Sequence, residues 1–402
     1  MKKYLNLCNI YILLWCLYYL QGIVYAEGSA ISQMILLIIM CISAFYFVYV
    51  NRKWKVPPFM RVLNLFSVVM TVYGFVLMLD PTPVYADFIL SEPLSKSGFL
   101  KAIYISLLPV YVMYYCTKRG ELSASIIRVI TCVLLISVTL TYFREQEELL
   151  RRAIERGSQQ EEFTNNIGYQ FLSLFPLLFF FQRRPIVQYV LMAYIFVFII
   201  LGLKRGAIVI GAVCLLWFLY RMLQSTQTGR RRWLVVLLTV IVLCVGGKYL
   251  LDFYETSEYF QRRVEDTMMG NSSGRDTLYA RLWNYYRQET TLGQFFFGNG
   301  AMSTVRLVGN YAHNDWLELL ICQGLLGAGI YALYFMTLFM QFLSFRRKDS
   351  VCYNILGMLL LIMFVSSVFS MSYNSLSLSV TICLGYCLAH QGDKGNIQAV
   401  KL

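Results

Sequence analysis

Long apolar runs, separated by short polar or charged stretches, dominate the pattern along the chain. Most runs are about 17 to 25 residues long, which is the length of a helix that crosses a lipid bilayer. They predict an all-α polytopic membrane protein with about 12 transmembrane helices, forming a single membrane domain over residues 1–402. The predicted spans are 7–26, 30–50, 61–79, 100–116, 125–143, 167–181, 186–202, 207–223, 233–250, 316–342, 351–369 and 374–389.

Basic clusters between these spans predict the orientation. If Lys2 and Lys3 are cytoplasmic, alternate counting of the loops places the other short basic clusters, with one exception, on the same side. Cytoplasmic loops are enriched in Lys and Arg, so we expect an even number of spans and two cytoplasmic termini. The clusters are Arg52–Lys53–Lys55, Lys118–Arg119, Arg183–Arg184, Arg230–Arg231–Arg232 and Arg346–Arg347–Lys348.

The first apolar run also has the features of a signal peptide. Lys2 and Lys3 would form its basic region, and Val24-Tyr25-Ala26 would form its cleavage site. A transmembrane span remains the preferred interpretation. Removing the run would leave every later loop on the same side of the membrane.

Composition agrees with the membrane class, because 58% of the residues are hydrophobic and only 14% are charged. The net charge of +13 lies largely in the orienting loops, where it faces anionic membrane lipids. No nucleic-acid motif accompanies this charge, so we expect no nucleic acid as a partner. The 11 cysteines lie in or beside predicted spans and form no Cys-x-x-Cys pair, which predicts neither disulfides nor a thiolate zinc site.

Three segments on the predicted outer side are longer than a simple turn. Residues 80–99 are mildly acidic. Residues 144–166 mix charges with an apolar face at helical spacing, which predicts a periplasmic interfacial helix. Residues 251–315 are long enough for a periplasmic loop subdomain between spans nine and ten. The apolar face of 144–166 consists of Leu149, Leu150, Ala153 and Ile154.

The loop 251–315 divides into smaller predicted elements. A charged helix is expected at 254–266 and a second helix at 276–288. The sequence Gly270-Asn271-Ser272-Ser273-Gly274 predicts a break between them, and Gly298-Asn299-Gly300 predicts a turn after them.

One short outer loop carries two adjacent cations, Lys204 and Arg205, against the general charge rule. Snorkelling of two long side chains toward water is the structural explanation. Ionisable residues at membrane depth are usually functional, however, so this loop is a candidate binding site for an anion.

His313 stands where the long outer loop returns to the membrane, in the sequence Tyr311-Ala312-His313-Asn314-Asp315-Trp316-Leu317-Glu318. A neutral imidazole accepts a proton near pH 7, so His313 is a candidate general base. Asp315 and Glu318 are close enough in sequence to orient it. The other histidine, His390, falls in the predicted cytoplasmic tail.

The spacing that follows His313 is distinctive: His313-Asn314, nine residues, Gly324, two residues, Gly327. In this topological position the spacing resembles the signature of the O-antigen ligase and O-antigen polymerase family. The resemblance extends over roughly residues 165–375. Its further matches are Arg205-Gly206-Ala207, Ser273-Gly274-Arg275, Trp283 and Gly298-Asn299-Gly300.

The resemblance implies a GT-C-type membrane glycosyltransferase whose donor is an undecaprenyl-diphosphate-linked glycan. The acceptor would be lipid A-core for a ligase, or another lipid-linked glycan for a polymerase. The family histidine matches His313, and the family arginine before a span matches Arg205. Lys204 departs from the small polar residue that is commoner at its position. A second family arginine matches either Arg275 or Arg281.

These residues suggest a mechanism at the periplasmic face of a bacterial inner membrane. His313 would act as base on the acceptor hydroxyl, with Asn314, Asp315 and Glu318 beside it in sequence. Arginines bind phosphate through a planar fork of donors, which suits a diphosphate. The diphosphate candidates are Arg205, Lys204, Arg281, Arg275 and, more weakly, Arg306. No Asp-x-Asp motif occurs, which favours an enzyme that needs no metal or other cofactor.

Two other function classes share some of these features. A polysaccharide or lipid-linked glycan transporter would also have many spans and two cytoplasmic ends, but transporters usually show related halves and polar groups at mid-membrane. A serine hydrolase is suggested only by the Gly-x-Ser-x-Gly spacing at 270–274, which lacks the expected preceding strand. Within the family, the spacing after His313 leans slightly toward ligase.

Overall fold

The protein is described by a computed structural model that covers residues 6–86, 93–155, 164–225, 230–269, 274–347, 349–375 and 377–391. Helices and short connections make up this part of the chain, and no β-sheet forms within it. The predicted all-α class is therefore confirmed. In chain order the helices are α1 (Leu7–Tyr19), α2 (Ala30–Lys53), α3 (Pro58–Leu79), α4 (Lys96–Ser106), α5 (Pro109–Lys118), α6 (Ala124–Glu155), α7 (Gly168–Leu172), a 3-10 helix (Phe175–Phe181), α8 (Pro185–Leu201), α9 (Arg205–Ser225), α10 (Arg230–Thr256), α11 (Glu258–Met268), α12 (Arg275–Gln288), α13 (Leu292–Phe297), α14 (Ser303–Val308), α15 (Asp315–Ser344), α16 (Ser350–Phe369) and α17 (Leu378–Ala389).

Eight helical segments of the described chain are long and apolar enough to cross a membrane, which confirms a polytopic membrane protein. The other four predicted spans coincide with shorter apolar helices, so the total of twelve stays a prediction. The eight long segments are Ala30–Lys53, Pro58–Leu79, Lys96–Lys118, Ala124–Glu155, Arg205–Gln224, Trp233–Thr256, Asp315–Ser344 and Ser350–Phe369. The shorter segments are Leu7–Tyr19, Gly168–Phe181, Pro185–Leu201 and Leu378–Ala389.

Contacts divide the chain into two compact units. The first consists of Met1–Ser123, Ser273–Leu356 and Met363–Leu402, and the second of Ala124–Ser272 with Gly357–Ile362. The predicted loop subdomain at 251–315 therefore begins in the second unit, and its larger part belongs to the first. Its periplasmic location stays a prediction.

Close helix packing in the first unit depends on small residues. A Cβ atom added at Gly385 of α17 would lie 2.5 Å from the Met113 Cβ and 2.8 Å from the Tyr114 backbone nitrogen on α5. At Gly74 of α3, the corresponding atom would collide with the side chain of Leu100 on α4. Such backbone approach is common between membrane helices, because small residues let them pack closely.

The helix boundaries follow local sequence signals. Pro58 opens α3 at its first position, where a missing N–H costs nothing. The Asp349 carboxylate caps α16 by accepting from the backbone N–H groups of Val351 at 2.8 Å and Cys352 at 3.1 Å. Both signals place the start of a span next to a basic connection of the chain.

Two predicted elements of the outer segments have different boundaries in the structure. Residues 144–155 continue α6 without interruption, so the helix predicted at 144–166 is not a separate element at its start. Its remainder at 156–163 lies outside the described residues, and its location at the membrane surface stays a prediction. The charged helix predicted at 254–266 is divided, because α10 extends to Thr256 and α11 starts at Glu258.

The helix predicted at 276–288 agrees with α12, which spans Arg275–Gln288. The turn predicted at Gly298-Asn299-Gly300 follows α13, and both of its glycines have positive φ. The break predicted at 270–274, together with its Gly-x-Ser-x-Gly spacing, lies outside the described residues except for Gly274. Most of the expected order within the loop is therefore present.

The contact at Gly385 gives a test of helix packing. We expect Gly385→Ala to destabilise the protein by about 1–3 kcal/mol, because α5 and α17 must separate to admit the methyl group. The measurement is thermal unfolding of the purified chain in detergent. Gly246→Ala on α10 is the matched control, since no atom lies within 4 Å of its added Cβ. Equal melting temperatures for the two variants would contradict the packing described.

Candidate functional site

His313 lies in the connection between α14 and α15 and is partly buried. Its φ of 51° is in the left-handed region, which few residues other than glycine adopt. The Tyr279 hydroxyl of α12 donates a hydrogen bond to the His313 carbonyl oxygen over 3.2 Å. The histidine backbone is therefore held in an unusual conformation by a neighbouring helix.

Asn314 fixes the chain on the other side of His313. Its Oδ1 accepts from the Leu317 backbone N–H at 3.0 Å, which caps the N-terminus of α15. Its Nδ2 donates to the Val368 carbonyl oxygen at 3.0 Å, near the end of α16. The amide thus has two structural partners and sets the direction in which α15 leaves the loop.

Glu318, one turn into α15, is buried and binds the segment that leads to His313. Its Oε2 accepts from the Ala312 backbone N–H at 2.9 Å. Its Oε1 accepts from the Thr304 hydroxyl at 2.7 Å and from the Cys322 thiol at 3.5 Å. A buried carboxylate needs several donors to offset its lost hydration, and this one uses them to fix the residue before His313.

Asp315 is also fully buried, but its partners lie on the other side of α15. Its Oδ2 accepts from the Tyr331 hydroxyl at 2.7 Å and from the Ser372 hydroxyl at 2.5 Å. Its Oδ1 accepts from the Ser372 backbone N–H at 2.8 Å. These bonds join the start of α15 to the chain after α16. The described bonds give both acids a positioning role, and a direct catalytic role for either stays a prediction.

A break in α15 connects this cluster to the Gly-Asn-Gly turn. Gly324 has φ 62° and ψ −157°, which interrupts the helix. The Ile321 and Cys322 carbonyl oxygens instead accept from the backbone N–H groups of Asn299 at 3.0 Å and Gly300 at 2.9 Å. The turn replaces part of the helical hydrogen bonding that the break removes.

Only glycine fits at Gly324. An added Cβ would lie 2.5 Å from the Phe296 carbonyl carbon and 2.7 Å from the Gly298 nitrogen, which are backbone atoms that cannot rotate away. At Gly327 it would lie 2.6 Å from Oε1 of Gln323. The fixed distance from His313 to these glycines therefore has a physical basis, because the same short helix carries the capping residue, both acids and the break.

The loop arginines each contact a backbone carbonyl in the first unit. Arg275 donates to the Phe369 carbonyl oxygen at 2.9 Å, and Arg281 to that of Leu307 at 3.2 Å. Arg275 also lies beside the phenol of Tyr279, which is bonded to His313. Burial raises the pKa of the Tyr279 phenol, so it remains a protonated donor at neutral pH. Arg275 and His313 therefore share Tyr279 as a neighbour, and no described contact links Arg281 to Tyr279.

Arg306 forms an ion pair with Asp80, which follows the end of α3, at 2.6 Å. Hydrogen bonds from the Thr82 hydroxyl and backbone N–H, together with the Arg306 guanidinium, hold the pKa of Asp80 well below its usual range. Because the folded pKa is depressed, the stabilisation is present at neutral pH and is lost only as the pH falls through that low value. The pair attaches α14 to α3, which favours a structural role for Arg306.

The second unit carries Lys204 and Arg205 at the start of α9. Leu203 before them has φ 53°, and the Gly202 carbonyl oxygen accepts from the Asn165 backbone N–H at 2.9 Å. Both cations are partly buried. Cations are unfavourable at the positive end of a helix dipole, whereas an anion there is favoured. This arrangement therefore suits the predicted binding of phosphate by Arg205.

Several residues of the site were not identified from the sequence. Four residues that hydrogen-bond to His313, Asp315 or Glu318 do not stand in a recognisable sequence motif. They are Tyr279, Thr304, Tyr331 and Ser372. Tyr279 had a weak signal, because it lies one helical turn after Arg275 on a predicted helix. Among the described residues, no group of three or more His, Cys, Asp and Glu side chains is arranged to hold a metal ion.

The break at Gly324 generates a local prediction. Gly324→Ala places a methyl group against backbone and imposes a φ and ψ combination that is nearly exclusive to glycine, so we expect a loss of at least about 3 kcal/mol. Hydrogen exchange should show lost protection at the Asn299 and Gly300 amides. The control is Gly329→Ala on the same helix, where no atom lies within 4 Å of the new Cβ. Retained protection of these two amides in the Gly324 variant would contradict the hydrogen bonding described between the turn and the break in α15.

Comparison with known proteins gives one match and one negative result. No curated protein matches the chain. Residues 190–332 match the O-antigen ligase family, and this range includes Lys204, Arg205 and the whole segment from His313 to Gly327. The segment from Tyr279 to Gly327, which positions His313, thus lies within the matched residues. Residues 190–332 of this polytopic membrane protein are therefore similar to the O-antigen ligases.

Proposed function

We propose that this protein transfers a glycan from undecaprenyl diphosphate to an acceptor hydroxyl at the periplasmic face of a bacterial inner membrane. The preferred acceptor is lipid A-core, as in an O-antigen ligase. The observation that carries the proposal is the fixation of His313 by Glu318, Asn314 and Tyr279 inside the family-matched segment.

The support for His313 as general base lies in how its surroundings are built. Glu318 accepts from the Ala312 N–H, and Tyr279 donates to the His313 carbonyl oxygen. Asn314 accepts from the Leu317 N–H, so the backbone is fixed both before and after His313. Maintaining a left-handed histidine costs about 1–3 kcal/mol, and such strain persists where the surrounding structure over-determines it. Catalytic groups are positioned in this way by a rigid surrounding shell.

In the proposed reaction, His313 accepts the proton of the acceptor hydroxyl as its oxygen attacks the anomeric carbon of the donor glycan. A new carbon–oxygen bond forms, and the bond from that carbon to the diphosphate oxygen breaks. In-line attack inverts the configuration at the anomeric carbon. Undecaprenyl diphosphate leaves with the electron pair, and its added negative charge must be stabilised.

Arginines are proposed to supply that stabilisation without a metal. Arg275 is preferred over Arg281 because it shares Tyr279 with His313. Arg205 is proposed to bind phosphate in its own unit, where Lys204 adds a second positive charge to the start of α9. Arg306 is assigned a structural role through Asp80.

The base assignment is tested by two substitutions of His313. Asn tolerates positive φ, so His313→Asn should keep the loop conformation while removing the base. We expect both His313→Asn and His313→Ala to reduce transfer at least about 100-fold. The assay expresses each variant in a strain that lacks the gene and compares surface polysaccharide with extracted undecaprenyl-linked glycan.

The accumulated intermediate distinguishes the acceptor. Long lipid-linked chains that never reach lipid A-core indicate a ligase, whereas single-repeat intermediates indicate a polymerase. Wild-type polysaccharide in His313→Asn, at equal membrane expression, would exclude the imidazole from the chemistry.

The arginine assignments are tested by substitutions that keep the charge. A lysine cannot reproduce the bidentate fork, so we expect Arg275→Lys and Arg205→Lys each to lower transfer by about tenfold or more. Arg281→Lys on the same helix as Arg275, and Arg221→Lys at the other end of α9, are the matched controls. Transfer by the wild-type protein should continue in the presence of EDTA.

Comparable losses in a control and its partner variant would remove that arginine from phosphate binding. Sensitivity to EDTA that added Mg²⁺ restores would overturn the metal-independent mechanism.

A further inference from the structure

A cavity of about 610 Å³ lies at the junction of α2, α3 and the end of α5, within the first unit. Its volume is within the range of small-molecule sites. The lining combines aromatic, basic and amide side chains. The lining residues are Trp54, Lys55, Val56, Pro57, Pro58, Arg61, Tyr114, Lys118 and Gln391.

The charge of this cavity has one sign. Lys55, Arg61 and Lys118 line it, and no carboxylate does among the residues that the structure describes there. The N-terminus of the 22-residue helix α3 also opens at the cavity, and its capping position, Pro57, makes no side-chain hydrogen bond. The helix dipole adds positive potential at this end. The cavity therefore favours an anion.

The aromatic side chains give the cavity an interfacial character. Trp54 stacks on Tyr115 with ring centroids 5.4 Å apart and meets Tyr114 edge-on at 5.9 Å. Trp and Tyr are enriched at the level of lipid headgroups. A ligand here would lie beside the headgroup layer.

Gln391, after the end of α17, adds a specific requirement. Its buried Oε1 has no hydrogen-bond partner among the described residues. A buried acceptor without a donor costs free energy, so a ligand that carries a hydroxyl would improve this position. A phosphate that bears a glycerol group offers alcohol hydroxyls of this kind beside its phosphate oxygens.

The cavity is remote from His313 along α3. The N-terminal end of α3 contributes to the cavity, while its C-terminal end leads to Asp80 and the ion pair with Arg306. A helix of this length is about 33 Å long, which matches the thickness of the hydrocarbon core. The two sites are therefore at opposite ends of a membrane span.

We propose that this cavity binds the glycerophosphate headgroup of an anionic phospholipid on the predicted cytoplasmic face. Lys55, Arg61 and Lys118 face the phosphate, and Gln391 accepts a hydrogen bond from a headgroup hydroxyl. The chemistry shared with a soluble ligand is the phosphate, and the two sources are separated by experiment. This second site is independent of glycan transfer.

The experiment measures phosphatidylglycerol retained by the full-length protein, by native mass spectrometry after exchange from phosphatidylcholine micelles. The triple variant Lys55→Gln, Arg61→Gln and Lys118→Gln should retain at least tenfold less phosphatidylglycerol than wild type. The control removes three charges from other predicted cytoplasmic loops, through Arg183→Gln, Arg184→Gln and Arg346→Gln, and should behave as wild type. Equal losses in both triple variants would overturn the proposal.

A milder variant guards against a folding defect. Gln391→Leu should lower phosphatidylglycerol retention about fivefold and leave phosphatidic acid retention unchanged, because phosphatidic acid lacks the headgroup hydroxyl. Equal retention of both lipids by wild type and Gln391→Leu would overturn the assignment of Gln391. Displacement of the lipid by an equal concentration of inorganic phosphate would overturn the headgroup as the ligand.

Discussion

A helix carbonyl that loses its own N–H partner inside a membrane protein must find another donor, and α15 meets this constraint at Gly324. The turn after α13 supplies backbone N–H groups to Ile321 and Cys322, so that two segments about 20 residues apart in sequence become one structure. Gly298 must approach the same backbone, which leaves no space for a side chain. These hydrogen bonds fix the position of the first part of α15, from Asp315 to Gln323. That part of the helix in turn fixes the loop that contains His313.

The buried side chains of Asp315 and Glu318 connect the start of α15 to the loop that contains His313 and to the chain after α16. Glu318 holds the residue before His313, while Asp315 holds the chain after α16. Because the two carboxylates point to different partners, the start of α15 is fixed from two sides. Arg275 and Asn314 add bonds to successive carbonyls at the end of α16. The backbone on either side of the strained His313 is thus bonded to α12 and α16.

The sequence predicts this structure best where a pattern is local. Apolar runs predict the membrane class, and the helix predicted at 276–288 agrees with α12 to within one residue. The spacing from His313 to Gly327 lies in the segment that matches the O-antigen ligase family, but it does not predict the break at Gly324, because a reversed φ leaves no mark on composition. The ion pair of Asp80 with Arg306 joins residues that are far apart along the chain, so the sequence around one of them does not predict the other as its partner. The same limit applies to Glu318, whose partners include a backbone N–H that any residue would provide.

The break in α15 also bears on how the chain enters the membrane during synthesis. From Leu325 to Ser344 the helix has about the 20 residues that a bilayer requires, so this stretch is sufficient as an insertion signal by itself. Asp315 and Glu318 precede it, and a carboxylate at the centre of an inserting helix costs about 2.5–3.5 kcal/mol. The division at Gly324 leaves an uncharged stretch that is long enough to cross the bilayer without the two acids. The acidic turn therefore need not enter the centre of the hydrocarbon layer.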